Sequence, residues 1–245
     1  MIFPVPSLES NDFSDDSVWA ITGSPNHGSY LDVIPNVSME GDGVDNKGTL
    51  IAGAAIESTD GNKHTIFIGL NSVTPNVDAT ILYGQLTNGN SQTDKNIQIS
   101  MQSNGVIIAL FQNGLPSGSG GLGVASTGDT DFSDGVDRFL AVTVDGDADD
   151  VNIYMAKSTD LNLAEISYAS QDTLTGAGYG GVGAGTPDTT IGGADGAGNQ
   201  LMSSTTSISI LKVWKDDFLT LPELQQVFDE VKGVSRRDRI LSGLL

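Results

Sequence analysis

The sequence predicts an all-β fold, a two-sheet antiparallel sandwich carrying one short amphipathic helix. Three observations point there. Short segments alternate apolar and polar residues with period two, the pattern of strands with one side on a core. Glycine takes 31 of 245 positions and, with Ser, Thr, Asn and Asp, punctuates those segments at turn spacing. Helical periodicity is confined to one stretch, between residues 220 and 233. A chain of this length suits a single β domain and buries a sizeable core without metal or disulfide support.

Residues 1–36 are broken by Pro and Asp around isolated anchors, Phe3, Phe13, Trp19 and Tyr30, and are expected to form an arm or an irregular first strand. The domain proper is expected over 37–233, with a tail over 234–245. Thr65-Ile-Phe-Ile-Gly-Leu70 and Ile81-Leu-Tyr83 read as strands. Ile97, Ile99 and Met101 are expected to point inward, with Gln98, Ser100 and Gln102 facing water. Ser103-Asn-Gly105 then turns the chain into Val106-Ile-Ile-Ala-Leu-Phe111, making a hairpin.

Two Gly- and Ser-rich stretches, 114–123 and 174–185, read as loops, and each holds a GxGxxG string. A phosphate-binding turn needs a helix directly after such a string. No helical pattern follows either one. A second hairpin joins Phe139-Leu-Ala-Val-Thr-Val144 to Val151-Asn-Ile-Tyr-Met155. Leu140, Val142 and Val144 share one face of it, and Val151, Ile153 and Met155 share one face of the partner strand. Thr190-Ile-Gly-Gly193 then precedes the long strand Ser207-Ile-Ser-Ile-Leu-Lys-Val-Trp214.

The helix carries its own boundary signals. Thr220 and Glu223 make a capping box, Pro222 sits in the first turn, and Gly233 supplies the stop. Leu224, Val227, Phe228 and Val231 form one apolar stripe. Three turns are unstable alone, so this stripe must pack on the sandwich or on a partner.

The order hairpin, Ile-Gly-Gly, long strand, helix resembles the laminin-G-like domain of the concanavalin A-like lectin and glucanase superfamily, of the type associated with phage virions. The resemblance covers roughly residues 37–232. It implies a two-sheet antiparallel jelly roll with a short C-terminal amphipathic helix, and a binding or structural role without catalysis. The stretch 38–45 looks like the family's opening motif, although Asn46 and Lys47 replace its usual aromatic-aliphatic pair. Leu70 stands roughly where the family places a Trp.

Composition narrows the partners. The formal charge is −20, and Asp supplies 25 of the 31 acidic residues, which suits turns more than helices. Such a balance disfavours nucleic acid and anionic membrane surfaces. With no cysteine there is no disulfide, thiol nucleophile or Cys-based zinc site. Residues 1–9 lack the basic and apolar regions of a signal peptide, so the expectation is a protein that reaches the outside as part of a particle.

The candidate chemistry is sparse. Glu40-Gly-Asp-Gly-Val-Asp45 approaches the spacing of a glucanase carboxylate pair, but its glycines and final Asp make it a solvated turn, and no catalytic residue is assigned. Asp145, Asp147 and Asp149 resemble half a calcium loop, without the Gly and the bidentate Glu that complete one. Asp129 and Asp131 lie in a second acidic loop. No cofactor is required; calcium is the ion such loops would take. Tyr179, alone among glycines, is the candidate contact for a carbohydrate or a partner, with Asp188, Asp195 and Asn199. Trp214, His27 and His64 read as structural or incidental. Finally, Arg236, Arg237 and Arg239 cluster with Ile240, Leu241, Leu244 and Leu245 as an assembly arm. The expectation is a non-enzymatic structural protein of a phage-like virion, a capsid decoration or tail component. Its partners would be other virion proteins or copies of itself, and it would have some capacity for surface glycans. The alternatives are an extracellular lectin module and a divergent glycoside hydrolase.

Overall fold

Strand-forming segments occupy most of the chain that the computed structural model describes, namely residues 6, 8–10, 19–22, 39–41, 47–50, 63–71, 73–74, 80–86, 95–112, 121–126, 134–148, 150–166, 172–174, 188–193, 202–203 and 205–233. In chain order these are β1 (Leu8–Ser10), β2 (Trp19–Thr22), β3 (Met39–Glu40), β4 (Lys47–Leu50), β5 (Lys63–Asn71), β6 (Thr80–Leu86), β7 (Lys95–Met101) and β8 (Ile107–Gln112). Then come β9 (Gly121–Ala125), β10 (Arg138–Asp145), β11 (Asp150–Lys157), β12 (Ala164–Glu165), β13 (Asp172–Leu174), β14 (Asp188–Ile191), β15 (Ser207–Lys215) and the helix α1 (Leu221–Val231).

The strands form a two-sheet antiparallel jelly-roll sandwich. One sheet has seven strands in the order β1-β15-β5-β10-β11-β12, with β3 also on β15; the other has eight, β13-β9-β8-β7-β6-β14-β4-β2. Residues 1–36 therefore supply a strand to each sheet: β1 at an edge of the first and β2 at an edge of the second. Of the stretch 38–45, Met39–Glu40 pairs opposite Ile208 and Ser207, while residues 38 and 42–45 lie outside the described residues.

The core lies between the sheets. Leu140, Val142 and Val144 meet Val151 and Ile153 there, with Met155 packed at the margin. Ile66, Ile68, Leu70, Leu211 and Val213 add the rest of that face. The opposing sheet contributes Ile97, Ile99, Met101, Ala109, Phe111 and Tyr83. The hairpin of β7 and β8 closes at Gly105, whose φ of 82° suits glycine, and Asn104 Oδ1 accepts the Val106 N–H.

A second core lies on the outer face of the seven-stranded sheet. Phe67, Phe139, Ala141, Tyr154, Ile210 and Trp214 meet Leu224, Val227, Phe228 and Val231 of α1. The Phe139 and Phe228 rings meet edge to face at 5.2 Å. Each fully buried side chain of this size contributes roughly 1.5–3 kcal/mol, which holds a helix too short to persist alone. The Glu223 carboxylate accepts the Thr220 N–H at 2.8 Å and its hydroxyl at 2.7 Å, and Gly233 at φ 66° ends the helix.

Two local expectations change. Gln98 and Ser100 are buried rather than facing water: the alternation on β7 holds, but the outer side of the eight-stranded sheet is covered too. The stretch 114–123, expected to be a loop, gives its last three residues to β9, which pairs with β8 and β13.

Candidate functional site

The sandwich presents three places where polar groups converge: two rims, where strands end, and the outer face of the eight-stranded sheet.

At the rim where β10 begins, Arg138 is 0% exposed yet charged. Asp134 meets it with two parallel bonds, Nη1 to Oδ1 at 2.7 Å and Nη2 to Oδ2 at 2.8 Å. Lys157 Nζ donates to Asp134 Oδ2 at 3.1 Å, and the Val136 N–H donates to Oδ1 at 3.0 Å. The bonds from Arg138 are the main reason the Asp134 carboxyl lies well below the usual carboxylate range. Beside this clamp a hydroxyl cluster ties loops together. Thr206 Oγ1 accepts the Thr74 N–H at 2.9 Å, and Ser203 Oγ donates to the Thr74 carbonyl at 2.8 Å. The Met202 N–H donates to the Gly192 carbonyl at 3.0 Å. Gly192 has φ 71°, and a Cβ there would lie 2.4 Å from Met39 Cε, so only glycine fits.

The opposite rim holds the β10–β11 turn. Lys63 Nζ lies 2.7 Å from Asp145 Oδ2 and 3.9 Å from Asp147 Oδ2. The Asp147 and Ala148 N–H groups donate to Asp145 Oδ1. Burial pushes the Asp145 carboxyl up, but the bonds from Lys63 and these amides outweigh it and leave it below its ordinary value. The Lys63 ammonium is pushed up by its bond to Asp145. Among the described residues no group of three His, Cys, Asp or Glu is placed to hold a metal. Calcium takes six to eight oxygens, and the two described carboxylates of this turn already face a lysine. Asp129, Asp131 and Asp149 lie outside the described residues.

Of the expected carbohydrate contacts, Asp188 begins β14 opposite Leu86. Asp195, Asn199 and Tyr179 lie outside the described residues. So do His27, Asp42 and the arm residues Arg236, Arg237, Arg239, Ile240, Leu241, Leu244 and Leu245. Glu40 pairs opposite Ser207 in β3. Trp214 is buried beneath α1, and His64 is buried.

The third place had no signal in the sequence. On the outer face of the eight-stranded sheet, Thr190, Gly84 and Gln98 stand side by side in register on β14, β6 and β7. Ser100 follows on the same face of β7. Ser100 Oγ and Thr190 Oγ1 are buried without a hydrogen-bond partner, whereas nearly all buried polar atoms have one. Hydroxyl and amide groups in such a row can both give and accept hydrogen bonds. They went unnoticed because alternate Ser, Gln and Thr in a strand read as solvent-facing positions.

This architecture is a lectin-like β-sandwich. No protein-family model matches the sequence, and no curated protein matches it. Among solved structures the chain is similar to the binding domain of botulinum neurotoxin serotype D, at 8% identity and TM-score 0.53, over 92% of this chain and 51% of that one. It is similar to the binding domain of botulinum neurotoxin DC in complex with SialylT, at 10% identity and TM-score 0.54, over 87% of this chain and 46% of that one. The binding domain of Paraclostridial mosquitocidal protein 1 matches at 10% identity and TM-score 0.53, over 89% and 48%. The chain thus spans about half the length of these proteins, and at such identities the likeness is one of fold. Among the described residues no helix is long and apolar enough to cross a membrane.

Proposed function

We propose that this protein is a non-enzymatic binding module that recognises a cell-surface glycan. The observation that carries the reading is the lectin-like sandwich, shared over about nine-tenths of the chain with binding domains, one of them in complex with SialylT. A glycan array carrying sialylated and bacterial surface polysaccharides tests it. Binding is expected without release of reducing ends; an array blank at high protein concentration overturns it, and hydrolysis lost on Glu40→Gln would make the protein an enzyme.

A second reading places the module in a phage-like virion of the laminin-G-like type, as a decoration or tail component. It is favoured by the segment 234–245, which sets three of the chain's four arginines and five aliphatic residues beside an acidic body. Variants with Arg236, Arg237 and Arg239 changed to Glu should then be lost from particles purified with the wild type.

A further inference from the structure

Two large apolar side chains stand out in water among the described residues, Leu161 at 51% and Leu221 at 38% exposure. They occupy the same flank of the molecule. Gln225 lies one turn beyond Leu221 on the same side of α1, and its amide grips the loop between β11 and β12 at both ends. Its Oε1 accepts the Leu163 N–H at 2.9 Å, and its Nε2 donates to the Leu161 carbonyl at 3.3 Å. Lys232 Nζ donates to the Asp160 carbonyl, and the Lys157 N–H donates to Asp160 Oδ2 at 2.8 Å. The loop backbone is therefore fixed while its leucine is left outside. Carboxylates edge the pair: Asp160 is exposed, Asp229 accepts from Gln225 Nε2 at 3.0 Å, and Glu165 stands exposed on β12.

A pre-ordered apolar pair rimmed by carboxylates fits a segment that carries aliphatic side chains beside guanidinium groups. Residues 234–245 have that composition, with Ile240, Leu241, Leu244 and Leu245 next to Arg236, Arg237 and Arg239. The remainder of the chain holds 8 basic and 30 acidic residues, so two copies repel unless a basic segment bridges them. We propose that the Leu161–Leu221 flank is the acceptor for residues 234–245 of a second copy of this chain. This rests on reading 234–245 as an assembly arm and adds the surface it binds. Because arm and acceptor are different patches, the contact either is exchanged reciprocally in a two-fold dimer or runs head to tail into a ring or an open chain.

Sedimentation of three full-length proteins tests this. The wild type should self-associate with concentration. The acceptor variant, Leu161→Asp with Leu221→Asp, and the arm variant, Arg236→Glu with Arg237→Glu and Arg239→Glu, should each lose association at least tenfold and keep the monomer's Tm. Mixed together, they should form a one-to-one pair, since each retains the half that the other lacks. A wild type that stays monomeric overturns both the arm reading and the acceptor. Association lost in the arm variant but kept in the acceptor variant leaves the arm and removes this acceptor. A lowered Tm in the dilute arm variant means the segment folds back on its own sandwich, which also overturns the proposal.

Discussion

The two outer faces of the sandwich both bury side chains, but in different mixtures: the one on the eight-stranded sheet sets Gln98 and Ser100 directly opposite Leu110 and Ile108. On the seven-stranded sheet the face is aromatic and aliphatic, and the stripe of α1 closes it with Phe228 against Phe139. On the eight-stranded sheet the face carries Thr190, Gln98 and Ser100, and two of its hydroxyls have no hydrogen-bond partner. Burial therefore means different things on the two sides. The first face gains free energy from the apolar side chains it hides. The second loses some for each hydroxyl it leaves unsatisfied. A face that stabilises is a structural element; a face that hides polar groups at a loss is where binding is expected, because a ligand can supply the missing partners.

Phe228→Ala should break the first face. Removing the ring from between Phe139 and Lys232 is expected to destabilise the domain by about 3–5 kcal/mol in chemical denaturation. A loss under about 0.5 kcal/mol would mean that α1 does not depend on this packing, and the contrast between the faces would fail.

Asp134→Ala should come next. It leaves the buried Arg138 guanidinium without its bidentate carboxylate, for a loss of about 2–4 kcal/mol, below that of a fully enclosed pair because Asp134 retains contact with water. The pH dependence has a definite sign. The folded carboxyl titrates below the ordinary Asp value of about 3.9. Its contribution is therefore complete above about pH 4 and is lost as pH falls through the lower folded value. The gap between wild type and variant should stay constant from pH 5 to 8 and close only in strong acid. A gap that closes near neutrality would assign the effect to another group.

Ser100→Ala sharpens the comparison most. On a face that buries unsatisfied hydroxyls, deleting one should leave stability unchanged or raise it by up to about 1 kcal/mol. If the face binds a glycan, the same change should weaken array binding several-fold with no loss of Tm. Destabilisation beyond about 1 kcal/mol would show that Ser100 has a structural partner and that the two faces are alike.

Lys63→Met should have the smallest effect. A half-buried lysine paired with Asp145 and Asp147 at the rim is still screened by water and salt, so Tm should shift by no more than about 3 °C. Adding millimolar calcium to the wild type tests the acidic turns directly. A tight site would raise stability by about 2.7 kcal/mol at a hundredfold excess over its Kd, and an unchanged Tm would dismiss them.

The sequence by itself determined the strands, the turns and the helix, because those follow from local chemistry. Leu140, Val142 and Val144 face inward because period-two alternation is a property of the strand itself. Gly105 and Gly233 take the positive φ that only glycine adopts cheaply, and Glu223 reaches back over one turn to Thr220. The tertiary structure decided what each face meets. Ile208, Ile210 and Trp214 share one parity in the sequence, yet a bulge between Ile208 and Ile210 sends Ile208 into the inter-sheet core. Ile210 and Trp214 then lie on the outer face, beneath α1. Gln98 and Ser100 alternate as solvent-facing residues should, yet both are buried. Thr190 and Gln98 are far apart in the sequence, and only the pairing of β14 and β7 with β6 brings them to either side of Gly84.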